Sequence, residues 1–154
     1  MSKSLARVVA AMQAQGVAGA PLEMPGETRT AVQAAQAAGC QLDQIVKSII
    51  FVGQRGMYLF LTAGGNQVDG ARASALAGEA LGRADATQVR AVTGFAIGGV
   101  SPLGHLTPLP IWMDPALLGF AVVWAAAGTP RHIFAIPPLQ LQQITGAKVA
   151  AFTA

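Results

Sequence analysis

Lys47 stands inside the run Val46-Lys47-Ser48-Ile49-Ile50-Phe51-Val52, an ammonium set among strong strand formers. Strand alternation places Lys47 on one face with Ile49 and Phe51, and Val46, Ser48, Ile50 and Val52 on the other. Both faces are largely apolar, so the ammonium must reach water, pair with an anion or lose its proton. An edge lysine that snorkels to solvent and discourages aggregation has the same local sequence. A second feature is Gly98-Gly99-Val100-Ser101-Pro102. Adjacent glycines let backbone N–H groups turn toward an anion or a carbonyl, and Pro102 stiffens the exit. A tight turn has the same composition. No Gly-Lys-Ser/Thr follows, and no strand–GxGxxG–helix unit surrounds the glycines, so neither a phosphate loop nor a dinucleotide fingerprint is present.

His105 and His132 are the two histidines. Neither lies at ligand spacing from another His, Cys, Asp or Glu, and no metal is expected. Asp43, Asp69, Asp85 and Asp114 are not arranged locally with a histidine and a nucleophile, so no triad is legible. His132 follows Gly128-Thr129-Pro130-Arg131 and opens a strand from which it can point into a cleft. Cys40 reads as a small buried apolar residue. Trp112 and Trp124 read as core or cleft wall.

The elements that must position these groups follow from periodicity and punctuation. Leu5, Val8, Val9 and Met12 set a helix over Ser4–Gln15, ended by Gly16. Val17–Met24 is extended. Thr28 or Thr30 caps a second helix through Ala38, stopped by Gly39. Leu42–Ile45 adds a helical turn before the strand Val46–Val52, which a Gly53–Gly56 connection joins to Met57–Ala63 as a hairpin. Gly64-Gly65-Asn66 is a turn, Asp69 starts a helix over Ala71–Leu81 closed by Gly82, and Thr87 caps a short helix through Val92. A glycine- and proline-rich stretch covers Gly94–Pro110. Strands are expected at Ile111–Met113, Phe120–Ala126 and His132–Ile136, then a helix from Pro138 to Ile144 and an edge strand within Lys148–Phe152. Helices and strands mix without strict alternation. The expected fold is a single α/β domain of α+β type over residues 1–154, a mixed, curved, partly barrel-like sheet flanked by helices.

The 154 residues suit one domain. Hydrophobic residues make up 53% and charged residues 11%, which argues against a solvated disordered chain. Thirty-one residues are alanine, so high mean hydropathy does not signal membrane insertion. The longest apolar run, Phe120 to Ala127, is far short of the roughly 20 residues a spanning helix needs. The lone cysteine excludes an internal disulfide, and the N-terminal stretch lacks a signal peptide's apolar core. A cytoplasmic location is expected. Ten Lys/Arg against seven Asp/Glu give +3, which permits an anionic partner. The bases are scattered, so phosphate binding does not follow from charge alone.

Together, Thr28-Arg29-Thr30 with Ala34-Ala35, the run Gln44-Ile45-Val46-Lys47-Ser48-Ile49, and Gly94-Phe95 leading to Gly98-Gly99-Val100-Ser101-Pro102-Leu103-Gly104-His105 resemble the YbaK-like family of aminoacyl-tRNA editing domains. That family includes the editing insertion of bacterial prolyl-tRNA synthetases. The match continues through Ala127-Gly128-Thr129-Pro130 and the final helix and strand, nearly the whole chain. The resemblance implies a free-standing hydrolase that deacylates mischarged tRNA carrying a small or mid-sized amino acid, with tRNA-Pro as one carrier.

It places the family lysine at Lys47 and the GxxxP loop at Gly98 to Pro102, with Gly98, Gly99 and Val100 supplying donors to the ester carbonyl. Thr28, Thr30, Ser48, Ser101, Pro102, His105, Gly128 and His132 are then expected around the substrate, and Arg29 and Arg131 at RNA phosphates. No cofactor, metal, DNA or membrane is implied. The partners are the tRNA acceptor end and an aminoacyl-tRNA synthetase. Some relatives carry a serine and an aspartate in the late glycine turn and strand. Ala125-Ala126-Ala127-Gly128-Thr129-Pro130-Arg131-His132 stands there in this chain, so those contacts are absent or replaced. A non-catalytic binding module and a structural partner of a synthetase are the alternatives.

Overall fold

The Ser2 hydroxyl accepts the Leu5 N–H at 3.1 Å and opens the first helix, α1 (Lys3–Ala14), whose Val8 and Met12 are fully or almost fully buried. The computed structural model describes residues 1–154. Strand β1 is a short pair, Leu22–Glu23. Helix α2 (Ala31–Ala38) starts on a reciprocal cap between Thr30 and Gln33 and ends on Gly39 in the left-handed conformation. A 3₁₀ turn at Leu42–Gln44 leads into β2 (Ile45–Val52), which pairs antiparallel with β3 (Met57–Ala63) from Val46–Ala63 to Val52–Met57.

Helix α3 (Gly70–Ala77) is capped by the Asp69 carboxylate, and Gly78 at φ +74° stops it. It ends four residues earlier than the expected Leu81, because the left-handed Gly78 breaks the ladder before the periodicity does. Gly82, expected to close that helix, instead opens β4 (Gly82–Arg83), which pairs with the end of β2 at Phe51 and Val52. Helix α4 (Ala86–Thr93) is capped by Asp85, not Thr87, since Asp85 and Gln88 form a reciprocal box.

After the Gly94–Pro110 loop come β5 (Ile111–Met113), a 3₁₀ turn at Pro115–Gly119, β6 (Val123–Ala126), β7 (His132–Ile136), α5 (Pro138–Thr145) and β8 (Lys148–Val149). The order across the sheet is β1-β7-β6-β2-β3-β5-β8, with β4 beside β2. The β2–β6, β3–β5 and β5–β8 pairs are parallel and the others antiparallel, so the sheet is mixed, as expected. It is open rather than closed into a barrel, because β1 and β8 end the order without meeting.

Leu59 and Leu61 of β3, Val46 and Ile50 of β2, and Val123 and Ala125 of β6 face one core, with Val8 and Met12 of α1 and Leu141 of α5. The opposite side of β2–β3 carries an aromatic cluster of Phe51, Tyr58, Phe60, Trp112 and Phe152. Phe60 and Trp112 stack at 5.3 Å and 13°. Both sides of the hairpin are thus covered, which is why β3 is buried almost throughout.

Candidate active site

The site exists because β2 and β6 part company. They pair only through Ile45–Trp124 and Val46–Ala125, and β2 next meets a strand at Phe51, in β4. From Lys47 to Ile50 that edge of β2 has no strand partner. The Ala84 N–H donates to the Ile50 carbonyl at 3.2 Å, which fixes the direction of the Ile50 backbone groups. By alternation the N–H and C=O of Ser48 face the same gap.

A cavity of about 330 Å³ fills the gap, within the size range of small-ligand sites. Its walls come from both faces of β2: Ile45, Lys47 and Ile49 on one side, Val46, Ser48 and Ile50 on the other. Trp124, Ala125 and Ala126 of β6, Ala31 and Ala34 of α2, and Ile97, Gly98 and Val100 of the long loop complete much of it. The ionisable residues of the lining are Arg29, Lys47 and Arg83, all cationic. No Asp, Glu or His lines it.

Lys47 donates from Nζ to the Asn66 carbonyl at 2.5 Å. The Asn66 side chain donates in turn to Asp114 at 2.9 Å, and the buried Asp114 carboxylate also accepts the Ala63 and Ala116 N–H groups. Burial is the main influence pushing the Lys47 pKa below the usual lysine range, and the Arg83 guanidinium adds to it. Asp114 and then Asp43 pull the other way. Lys47 is therefore half-buried and tied to a backbone carbonyl. The Ser48 hydroxyl is buried with no hydrogen-bond partner.

The loop arrives with its backbone turned. Gly98 has φ +93°, and a Cβ there would lie 3.0 Å from Arg29 Cγ. Gly99 packs on the backbone of Thr129, where a Cβ would approach to 2.8 Å. Its N–H donates to the Ala96 carbonyl at 3.0 Å, so of the three amides expected at the ester carbonyl, that of Gly99 is already engaged. The N–H groups of Gly98 and Val100 donate to no protein acceptor, and both residues line the cavity.

Thr28 and Thr30 sit in the wall with Arg29. Thr28 is buried, and its hydroxyl and N–H both donate to the Pro130 carbonyl. Arg29 pairs with Glu27 at 2.9 Å. Other sequence candidates lie outside the lining. Ser101 is fully buried; its hydroxyl accepts the Leu103 N–H at 3.2 Å. His105 Nε2 donates to the Ser101 carbonyl at 2.6 Å, its ring meets the edge of Phe95, and burial lowers its pKa. Pro102 is buried beside them. Gly128, at φ +93°, comes so close to α1 that a Cβ would reach 2.8 Å from the Ser4 carbonyl. His132 Nδ1 shares a hydrogen bond of 2.6 Å with the Thr129 hydroxyl. Arg131 is exposed and reaches the Pro25 carbonyl at 3.5 Å.

Arg83 is the cation of the cavity that the sequence candidates omit. Its two-residue strand has no periodicity to find, and its position becomes visible only through the Phe51 pairing.

The family model for the aminoacyl-tRNA editing domain matches residues 25–144, a span that contains every lining residue. The uncharacterized protein YwhH of Bacillus subtilis (strain 168) is 27% identical over 128 residues, 82% of each chain. Among solved structures, a proposed trans-editing enzyme for prolyl tRNA synthetase is 48% identical with a TM-score of 0.94, covering 100% of this chain and 99% of the other. The hypothetical protein APE2540 is 28% identical with a TM-score of 0.89, over 96% and 99% of the two chains. The lysine strand, the turned glycine loop and the cavity between them thus lie within a shared domain, and the chain belongs to the aminoacyl-tRNA editing domain family.

Proposed function

We propose that this protein is a trans-acting deacylase that hydrolyses the ester of mischarged tRNA. The observation that carries the reading is that Lys47, Gly98 and Val100 line one cavity and that the Gly98 and Val100 N–H groups have no protein acceptor. Water adds to the ester carbonyl carbon, and the carbonyl oxygen becomes an oxyanion. Collapse breaks the bond from that carbon to the ribose oxygen, which takes a proton, releasing the free amino acid and tRNA with its terminal hydroxyl restored. The two loop donors and the Lys47 ammonium stabilise the oxyanion, an effect worth roughly 2.7–4 kcal/mol per donor in other hydrolases.

No carboxylate or imidazole lines the cavity, so the general base is supplied by the substrate or solvent. The ribose 2′-hydroxyl, adjacent to the ester, can orient the water, which restricts the reaction to RNA. Small walls at Ala31, Ala34, Ala125 and Ala126 suit a small or mid-sized aminoacyl side chain. Such errors arise because a synthetic pocket separates side chains differing by one methylene by only about 1–3 kcal/mol. The likeness to a proposed trans-editing enzyme for prolyl tRNA synthetase supports tRNA-Pro as the carrier.

The second reading, a binding module without turnover, draws on the alanines at 125 to 127, where some relatives carry polar residues. A panel of tRNAs charged with alanine, cysteine, serine or threonine separates the two. Turnover on any member is the expected result, and tight binding with no turnover on all four would establish the module.

A further inference from the structure

The three cations of the cavity differ in how much hydrogen-bonding capacity remains to them. Lys47 Nζ is engaged with the Asn66 carbonyl. Arg29 is paired with Glu27. Arg83 has neither kind of partner: the ion pairs of the chain involve Arg29, Arg55 and Arg72. Its guanidinium rests over the Phe51 ring at 5.7 Å, which holds the group in place while leaving its in-plane donors free. The strand that carries it is short and exposed, and the residue lines the cavity.

Register sets where Arg83 stands relative to Lys47. Arg83 is opposite Phe51, on the same face of β2 as Ile49 and Lys47. Four residues of strand, about 13 Å at roughly 3.3 Å per residue, separate the Lys47 and Phe51 backbones. Two long side chains on that face can hold opposite ends of one nucleotide. An ester against Lys47 and the loop puts the ribose between them and the 5′-phosphate toward the far end. A guanidinium fork matches two phosphate oxygens at once, a geometry an ammonium lacks.

We infer that Arg83 is the phosphate anchor of the site, binding the 5′-phosphate of the terminal nucleotide and leaving Lys47 to act at the ester. This inference rests on the editing reading for the identity of the ligand. The recognised chemistry is a nucleoside 5′-phosphate bearing a 3′-aminoacyl group.

The test uses two non-hydrolysable ligands, 3′-alanylamido-adenosine with and without a 5′-phosphate, titrated into the full chain, the Arg83→Gln variant and the Arg83→Lys variant. The unmodified protein should bind the phosphorylated ligand at least about tenfold more tightly. Arg83→Gln should erase that preference, affinity for the phosphorylated ligand falling to that for the unphosphorylated one. Arg83→Lys should recover part of it. A preference that survives Arg83→Gln, a wild-type protein indifferent to the phosphate, or binding of neither ligand would each overturn the inference. Hydrolysis of the corresponding esters is followed in parallel. A phosphate preference lost in Arg83→Gln with no hydrolysis of either ester would leave the anchor standing and remove the deacylase reading.

Discussion

Lys47 shows how a sequence can announce a residue without explaining it. An ammonium in an apolar strand was legible because its neighbours leave it no ordinary surface role. What holds it, the Asn66 carbonyl backed by the buried Asp114, comes from a turn and a strand end far apart in the chain, and no spacing reveals that. Replacing Lys47 by alanine should lower single-turnover deacylation by about 10²-fold, the scale of losing one transition-state donor, with the circular dichroism spectrum unchanged. Lys47→Arg should also be impaired, since a planar fork cannot take the place of a compact ammonium. The loop makes a separate demand on its glycines. Gly99→Val drives a side chain into the Thr129 backbone and displaces the Gly98 and Val100 donors. The single-turnover rate should fall at least about tenfold, ~1.4 kcal/mol in the barrier. Ser101→Ala removes only the acceptor for the Leu103 N–H. It should lower stability by about 1 kcal/mol in urea titration while leaving the rate near that of the parent. A dead Ser101→Ala beside a normal Gly99→Val would point instead to a serine-dependent mechanism.

At the scale of elements, the ties of the long loop from Gly94 to Pro110 include two side chains of ionisable type. Arg7 of α1 donates to the Gly94 and Gly104 carbonyls and lies over the Phe95 ring, and His105 donates to the Ser101 carbonyl from a buried position. Burial lowers the His105 pKa, so the unfolded chain takes up the proton first as pH falls. Its contribution to stability is complete above the unfolded value of about 6.5 and is lost as pH falls through the lower folded value. Urea midpoints measured between pH 5 and 8 should therefore decline below about pH 6.5, and His105→Gln should flatten that decline. An unchanged slope in the variant would remove His105 as its source.

The same loop marks the boundary of what the sequence could tell. Its extent was readable from glycine and proline, and the β2–β3 hairpin and α5 from periodicity and Pro138. The two-residue strand β4 was not, since its pairing partner is distant in sequence, whereas β1 and β8, equally short, lie within the expected extended segment and the expected edge strand. The end of α3 was misread because Gly78, inside an otherwise helical pattern, takes the left-handed conformation. With β4 went Arg83, and with it one cation of the cavity. The histidines show the converse case, since a type capable of chemistry fits a loop latch equally well until its neighbours are known.

For the molecule as a whole, a net charge of +3 looks too small for an RNA-binding protein until the bases are placed. Three of them, Arg29, Lys47 and Arg83, line one cavity that contains no acid, so the field is local. Contact with the acceptor end alone is expected. About three phosphate contacts on a single strand imply a slope near −2 in a plot of log affinity against log salt. Filter binding between 50 and 200 mM salt measures it, and a slope of about −6, for eight contacts by the same rule, would mean that the protein wraps much more of the tRNA. No helix is long and apolar enough to cross a membrane. The proposed chemistry is hydrolysis of an aminoacyl ester in this cavity through Lys47 and the turned loop. It is tested most directly by single-turnover release of amino acid from tRNA-Pro charged with alanine, cysteine, serine or threonine, with the parent protein beside Lys47→Ala. The parent should release amino acid from at least one substrate, and the variant should be slower by about 10²-fold. Equal rates for the two proteins, or binding without release on every substrate, would contradict it.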